Sequence, residues 1–202
     1  MTIRALLFDI GGVLYRNGNA LQRRKWEQRL ALSKGQLDEI VFTNCVAQRA
    51  IVGDAQPAEV WQEVGQYLSL SAQMLTEIQA DFWNDGEWNL ELIDFIRSIK
   101  PNYITGTISD AWLDARQNVK QYVNHEFFDI MIFSAEVGMK KPGPGIYRHT
   151  LERLEISAEE AIFIDDRLKN IVGAEWIGMH PIQFTETGQT IKEILFVLQK
   201  HK

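Results

Sequence analysis

The sequence is poor in cysteine, in long apolar runs and in basic charge, and each shortage excludes a class of protein. Cys45 is the only cysteine, so no disulfide can form within the chain. The net charge of −6 argues against a general nucleic-acid-binding protein. No apolar run approaches membrane-spanning length, and no long apolar signal region precedes the first predicted strand. We therefore expect a cytoplasmic protein without nucleic-acid or membrane partners.

Apolar strand patterns alternate with helical patterns over most of the chain. Of its 202 residues 46% are hydrophobic, which suits one domain with a sizeable core, or one domain with an insert. The predicted strands are 4–8, 103–108, 130–133, 161–164 and 180–184. The predicted helices that alternate with them are 112–122, 144–154, 168–177 and 189–200. This alternation predicts an α/β fold with a Rossmann-like parallel sheet of about five strands.

One long segment near the N-terminus breaks the alternation. Helical patterns follow one another there at 21–32, 35–50, 57–67 and 71–83. We therefore predict a core domain made of residues 1–17 and 86–202, with a helical cap domain of residues 18–85 inserted into it. The pair Asn17-Gly18 is favoured in tight hairpin turns, so a small hairpin flap is expected directly after the first strand.

Polar residues follow the predicted strands at the points where those strands end. They are Asp9, Ser109 with Asp110, Lys140 with Lys141, and Asp165 with Asp166. The carboxyl ends of parallel strands lie on one edge of a sheet, where ligands bind, so these groups are expected to converge. Clustered carboxylates suit Mg²⁺, a lysine beside a hydroxyl suits a phosphate, and an aspartate can attack phosphorus. Each residue alone could be only a cap or a turn residue.

The segments around these groups resemble the motifs of the haloacid dehalogenase superfamily, in its subgroup with a helical cap inserted after the first strand. The likeness covers about residues 3–185. The matching segments are FDIGGVL at 8–14, ISDAW at 108–112, GMKKPGPGIY at 138–147 and IDDRLKN at 164–170. The resemblance implies a Mg²⁺-dependent phosphatase that acts on a small phosphorylated metabolite through an aspartyl-phosphate intermediate.

The resemblance also implies a role for each matched residue. Asp9 would be the nucleophile, with Ser109 and Lys141 as the other catalytic residues. Asp9, the backbone carbonyl of Gly11, Asp165 and Asp166 would bind Mg²⁺. The phosphate would be held by Gly11, Ser109, Asp110 and Lys141. The cap could add substrate contacts from Arg16, Asn17, Arg23, Trp26 and Arg49, among which the sequence does not choose.

Gly11 departs from the pattern of most phosphatases in the superfamily. They have a second aspartate at this position, two residues after the nucleophile, as general acid and base. Glycine cannot transfer a proton, and general acid–base help is worth roughly 10²- to 10⁴-fold in rate. Some sugar-phosphate phosphatases of the superfamily also have glycine there. The departure predicts a slow or leaving-group-selective enzyme.

Three other functions are compatible with parts of this pattern. A haloacid dehalogenase also uses an aspartate nucleophile but needs no metal, and the pair Asp165-Asp166 would repel its anionic substrate. A receiver module of a response regulator has its acidic pair on the first strand and has no large insert. A catalytically weak or inactive binding protein with this fold is supported by Gly11 alone. The substrate and the oligomeric state are left open.

Overall fold

The central sheet consists of five parallel strands. The computed structural model describes residues 2–17, 20–84, 86–120 and 122–201. The strands are β1 (Ala5–Phe8), β4 (Ile104–Ser109), β5 (Ile130–Phe133), β6 (Ala161–Asp165) and β7 (His180–Gln183). Their order across the sheet is β5-β4-β1-β6-β7, so β1 lies in the middle. The predicted α/β class and the Rossmann-like sheet are confirmed.

Helices cover both faces of the sheet. One face packs against α6 (Leu90–Ile99) and α11 (Thr187–Lys200), and the other against α9 (Pro144–Leu154) and α10 (Leu168–Trp176). Alternate residues of β1 enter the two apolar clusters on opposite faces, as the period of a strand requires. Burial on both faces explains why the strands are almost continuously apolar in sequence.

Five helices occupy the described residues 20–84, which contain no strand. They are α1 (Leu21–Arg29), α2 (Gln36–Thr43), α3 (Cys45–Ala50), α4 (Pro57–Tyr67) and α5 (Ala72–Phe82), and we call them the cap helices. They share an apolar cluster of their own, and Trp112 from the loop after β4 belongs to that cluster as well. The cap helices are therefore packed around a side chain from the loop after β4.

The single helix predicted over 35–50 is two helices, because Asn44 interrupts it. The Asn44 side-chain amide donates to the carbonyls of Ile40 (2.9 Å) and Val41 (3.2 Å) at the end of α2. Its carbonyl accepts from the Ala47 N–H (2.7 Å) in the first turn of α3. One side chain thus satisfies orphan backbone groups of two helix ends.

A two-stranded flap follows β1, but its two strands are far apart in the sequence and do not form a local hairpin. β2 (Tyr15–Asn17) pairs antiparallel with β3 (Gly86–Trp88), which lies beyond the cap helices. The predicted local hairpin is therefore wrong in its pairing, and Gly18 of its turn lies outside the described residues. The Tyr15 ring lies directly on Gly86, where an added Cβ would be 1.9 Å from the ring.

Three further helices differ from the expectations. α7 spans only Ala115–Val119 of the predicted 112–122, because Trp112 packs among the cap helices instead of starting a helix. Neither α6 nor the short α8 (Ser134–Val137) was predicted. A 3₁₀ helix, Ala158–Glu160, precedes β6. Among the described residues, no helix combines the length and the apolar character that a membrane crossing needs.

Candidate active site

The predicted polar groups meet at the C-terminal edge of the sheet. Asp9 follows β1 directly, Ser109 is the last residue of β4, and Asp165 is the last residue of β6. Because β1 lies between β4 and β6, these three residues end adjacent strands, and all are buried. Lys141 joins them from the loop between α8 and α9 and is only 2% exposed. A cluster of ionisable groups has thus been removed from water at this edge.

Lys141 is at the centre of the cluster. Its ammonium lies 2.9 Å from Asp9 Oδ1 and 2.7 Å from Asp165 Oδ2, and it donates to the Ile108 carbonyl at 2.9 Å. Burial lowers the pKa of Lys141, but the carboxylates of Asp9, Asp165 and Asp110 outweigh it and hold the pKa above its ordinary value. The lysine is therefore a fixed positive charge between two carboxylates.

Asp165 is fully committed to protein donors. Its Oδ1 accepts from the Arg167 N–H (2.8 Å) and from the Asn170 amide (3.0 Å). Its Oδ2 accepts from the Lys141 ammonium (2.7 Å) and from the same Asn170 amide (2.9 Å). Asp165 is completely buried, so this network fixes both its own orientation and that of Lys141.

Asp166 differs from its neighbour because one of its oxygens lacks a donor. Asp166 Oδ1 is buried and has no hydrogen-bond partner among the described residues. Asp9, Asp165 and Asp166 each place one carboxylate oxygen within 4.8 Å of the others. A Cβ on Gly12 would lie 2.4 Å from Asp166 Oδ2, and Gly12 has a φ of +85°, so only glycine fits beside this carboxylate.

The carboxyl groups around Lys141 resist ionisation to different degrees. Burial raises the pKa of Asp9 to about 7, although Lys141 acts in the opposite direction. Burial, followed by the charge of Asp165, also raises the pKa of Asp166. The pKa of Asp110 is raised by burial as well. When ionised, Asp9, Asp165 and Asp166 carry three negative charges against the single positive charge of Lys141, which favours a further cation.

The remaining predicted residues lie beside this cluster. Asp110 Oδ1 accepts from the Lys141 backbone N–H (2.9 Å), which holds the lysine loop against the end of β4. Ser109 is buried at that end. Gly11 is exposed, its φ lies outside the left-handed region, and a Cβ there would meet no atom within 4 Å. The position of the absent acid is therefore open space.

Comparison with known proteins identifies the family. Residues 3–178 match the model of the haloacid dehalogenase-like hydrolases. The chain belongs to this family of hydrolases. It is 26% identical to the sesquiterpene phosphatase astK of Aspergillus oryzae over 200 residues, which cover 96% of this chain and 95% of that protein. Bifunctional epoxide hydrolase 2 of Rattus norvegicus is 32% identical over 100 residues, which are 47% of this chain and 18% of that longer protein.

Solved structures of haloacid dehalogenase-like proteins share the fold. A predicted family hydrolase of Porphyromonas gingivalis superposes with a TM-score of 0.79 at 23% identity, covering 98% of this chain and 99% of that one. A family enzyme of Bacteroides thetaiotaomicron, solved with magnesium and inorganic phosphate, superposes with a TM-score of 0.75 at 20% identity, covering 91% of this chain and 94% of that one.

In this haloacid dehalogenase-like chain, three suggested substrate contacts of the cap are used for packing. The Arg23 guanidinium donates to the Phe82 carbonyl (2.9 and 3.0 Å) and pairs with Asp38 (2.7 Å). The Trp26 indole donates to Asp81 Oδ2 (2.8 Å). Arg49 donates to the carbonyl of Asp54 (2.8 Å). Arg16 is exposed on the flap, and the Asn17 side chain lies outside the described part of the chain.

Two residues of the site were not identified from sequence. Asn170 is 1% exposed and donates to both Asp165 oxygens, but an asparagine inside a helix gives no signal of that contact. Ser134 is fully buried at the start of α8. Its hydroxyl donates to the Ile51 carbonyl (2.6 Å) and accepts from the Ala111 N–H (2.9 Å). It therefore joins the end of α3 to the loop after β4.

Proposed function

We propose that the protein is a Mg²⁺-dependent phosphomonoester hydrolase that acts on a small phosphorylated molecule through an aspartyl-phosphate on Asp9. The observation that supports this most is Lys141, which bridges Asp9 and Asp165 beside the unpartnered oxygen of Asp166. A nucleophilic carboxylate needs a fixed cation to approach a phosphate anion. The similarity to a sesquiterpene phosphatase, and to an enzyme solved with magnesium and phosphate, points in the same direction.

In the first step, an Asp9 carboxylate oxygen attacks phosphorus and the bond from phosphorus to the alcohol oxygen breaks. The alcohol leaves with the electron pair of that bond and takes up a proton. In the second step, water attacks phosphorus and loses a proton to solvent, the bond between phosphorus and the Asp9 oxygen breaks with its electron pair going to Asp9, and inorganic phosphate and the Asp9 carboxylate result. Lys141 stays at 2.9 Å from Asp9 in the resting site and would neutralise the incoming phosphate.

The residues present suit a divalent cation bound between Asp9 and Asp166. One carboxylate oxygen of each residue lies within 4.8 Å of the other. The buried Asp166 Oδ1 has no hydrogen-bond donor among the described residues, and a bound ion would satisfy it instead. Bound Mg²⁺ would supply charge neutralisation for the phosphate oxygens. We propose the backbone carbonyl of Gly11 as a further ligand. Asp165 would contribute less directly, because four hydrogen bonds from protein groups already engage its oxygens.

The phosphate would lie between the ends of β1 and β4. We propose that Ser109 and the backbone of Gly11 donate to its oxygens from opposite sides. Asp110 would act indirectly, because its Oδ1 accepts from the Lys141 N–H and so positions the lysine. The departing alcohol would take its proton from water or from the substrate, since Gly11 has no side chain.

We propose that residues 18–85 form a cap domain on a core of residues 1–17 and 86–202. The cap helices contact the core where the site is formed: Ser134 of α8 donates to the Ile51 carbonyl, and Lys140 donates to Gln48 Oε1 (2.9 Å). A cap in this place would exclude water and position the leaving group.

Hydrolysis of p-nitrophenyl phosphate by the wild type and by Asp9→Asn tests the proposal. We expect turnover that requires Mg²⁺, disappears on chelation and returns when Mg²⁺ is restored. Asp9→Asn should lower kcat by at least about 10⁴-fold, because the amide is a poor nucleophile. Calorimetric Mg²⁺ binding should be lost in Asp166→Asn.

Gln189→Ala is a control at an exposed position of α11, and it should leave both readouts unchanged. Circular dichroism shows whether each variant is folded. Wild-type turnover by a folded Asp9→Asn protein would contradict a covalent mechanism on Asp9. Turnover that chelation does not affect would contradict the requirement for Mg²⁺.

A further inference from the structure

Aromatic rings gather where the cap helices meet the end of β4. Phe42, Trp61, Phe82 and Trp83 belong to the cap helices or directly follow them, and their ring centroids lie 5.1–6.0 Å from ring neighbours within this group. The fifth ring is Trp112, which is three residues beyond Ser109 and is 5% exposed. Aromatic side chains so close in sequence to Ser109 would present an apolar surface beside the end of β4.

The two loops that flank the proposed phosphate site lead to the same pair of rings. From the β1 side, Gly11 bridges to Tyr15, and the Tyr15 hydroxyl donates to the Trp83 carbonyl at 2.7 Å. From the β4 side, the chain runs directly from Ser109 to Trp112. The Trp83 and Trp112 centroids are 5.9 Å apart with perpendicular planes. We call these two residues the tryptophan pair; the backbone of Trp83 is bonded to the β1 side, and Trp112 belongs to the loop after β4.

The environment of the tryptophan pair suits hydrocarbon better than a polar group. Arg23 lies 4.1 Å over the Phe82 ring, and its guanidinium is already paired with the Phe82 carbonyl and with Asp38. Phe42 packs against both members of the pair, with centroids at 6.0 and 5.8 Å. Trp83 nevertheless keeps 42% of its surface exposed, so part of an apolar ring is available to a ligand.

We infer that the tryptophan pair binds the leaving group, and that the substrate is a phosphomonoester of an apolar alcohol. This rests on the proposed function, because the phosphate must lie between Gly11 and Ser109 for the rest of the substrate to reach the rings. The charged half of the substrate would lie against Lys141 at the strand ends. The hydrocarbon half would lie against the exposed part of the Trp83 ring, which the buried Trp112 supports from behind, and its burial there favours binding.

A matched pair of substrates tests this inference. Ethyl phosphate and hexyl phosphate have the same primary-alcohol leaving group and differ only in hydrocarbon length. We expect kcat/KM to be roughly tenfold or more higher for hexyl phosphate, because each buried methylene group favours binding. The preference should come mainly from KM, since the reacting atoms are the same in both substrates.

Variants of Trp83 assign the preference to the tryptophan pair. Trp83→Ala should reduce the ratio of the two kcat/KM values to near unity, and Trp83→Phe should keep most of it. Trp83 follows the end of α5 and is partly exposed, so its replacement is compatible with folding. Trp176→Ala is the control, because Trp176 is 70% exposed on α10 and should leave the ratio unchanged.

The outcomes separate the inference from the proposed function. Mg²⁺-dependent turnover of both substrates at equal kcat/KM would overturn the inference and leave the phosphatase proposal intact. A preference for hexyl phosphate that survives in a folded Trp83→Ala protein would place the apolar site elsewhere and also overturn it. If the protein hydrolyses none of the three compounds, ethyl phosphate, hexyl phosphate and p-nitrophenyl phosphate, the proposed function itself is overturned.

Discussion

The strand ends and the cap helices are built from different interactions. At the strand ends, Lys141, Asp165 and Asn170 are almost completely buried and joined by hydrogen bonds of 2.7–3.0 Å. In the cap helices, perpendicular aromatic rings such as Trp61 and Phe82 pack at 5.4 Å. Charge-assisted hydrogen bonds hold side chains in one orientation, whereas aromatic packing tolerates small displacements of the rings.

The difference suggests a division of labour between the two regions. The nucleophile that would perform phosphoryl transfer directly follows β1, a strand whose register is fixed by neighbouring strands on both sides. The rings that would contact the leaving group lie on helices that join the core through particular contacts, including the Ser134–Ile51 hydrogen bond. Changes at the strand ends should therefore alter the rate, and changes in the cap should alter selectivity and cap closure.

Lys141→Met removes the central charge of the strand-end region and should have the largest effect on stability and activity. Removing the ammonium leaves Asp9 and Asp165 without their common partner in a buried site, which costs about 3–5 kcal/mol of unfolding free energy. Loss of charge neutralisation should lower kcat/KM for aryl phosphate by about 10³-fold. Urea unfolding and steady-state kinetics measure the two effects.

Lys140→Met is the matched control for this prediction. Lys140 is the adjacent lysine, and its ammonium donates to Gln48 Oε1 in an exposed contact at 2.9 Å. Its replacement should change the unfolding free energy by no more than about 0.5 kcal/mol. Equal losses of activity in the two variants would mean that Lys141 is not the neutralising residue.

The strand-end region could be predicted from the sequence because all strands of a parallel sheet end at the same edge. It is enough to recognise which residues follow each strand. Once Asp9, Ser109 and Asp165 are placed at the ends of β1, β4 and β6, the fold brings them together whatever their separation in sequence. The sequence also locates Lys141, since the resemblance fixes its register. It does not distinguish Asp165 from Asp166, because that difference depends on hydrogen bonds to Asn170 and Arg167.

The cap region could be predicted only as a set of helices. Helical periodicity indicated α4 and α5 nearly to the residue, since periodicity depends on neighbours along the chain. The pairing of β2 with β3 was missed because it joins segments on either side of the cap helices. The position of Trp112 was missed for a similar reason. The pattern at 112–122 predicts a helix, but Trp112 packs among the cap helices, which are distant in sequence.

Gly11→Asp adds a carboxylic acid to the strand-end region and leaves the cap helices unchanged. A Cβ at Gly11 meets no atom within 4 Å and the backbone there is not left-handed, so the backbone accepts a side chain at this position. A proton donor at this position should raise kcat for ethyl phosphate about tenfold or more, and should raise it less for p-nitrophenyl phosphate, whose leaving group needs little protonation. Parallel kinetics with the two substrates measure this.

Gly12→Asp is the matched control for the added carboxylate. Gly12 has a φ of +85°, and its Cβ would lie 2.4 Å from Asp166 Oδ2, so this variant should lose activity with both substrates. If a folded Gly11→Asp protein shows no gain with ethyl phosphate while chemistry is rate-limiting, another residue already supplies the proton.

Ser134→Ala tests the joint between the two regions and should have the smallest effect. The fully buried Ser134 hydroxyl donates to the Ile51 carbonyl at 2.6 Å and accepts from the Ala111 N–H at 2.9 Å. Its loss leaves two backbone groups unsatisfied and should cost about 1–3 kcal/mol. We expect this cost to appear as local opening of the cap, with faster amide hydrogen exchange in residues 45–54 and unchanged exchange in β4. Ser98→Ala, which removes an exposed hydroxyl bonded within α6, should change neither. Equal acceleration of exchange in β4 and in residues 45–54 would show that Ser134 stabilises the whole fold and not the contact between the cap helices and the strand ends.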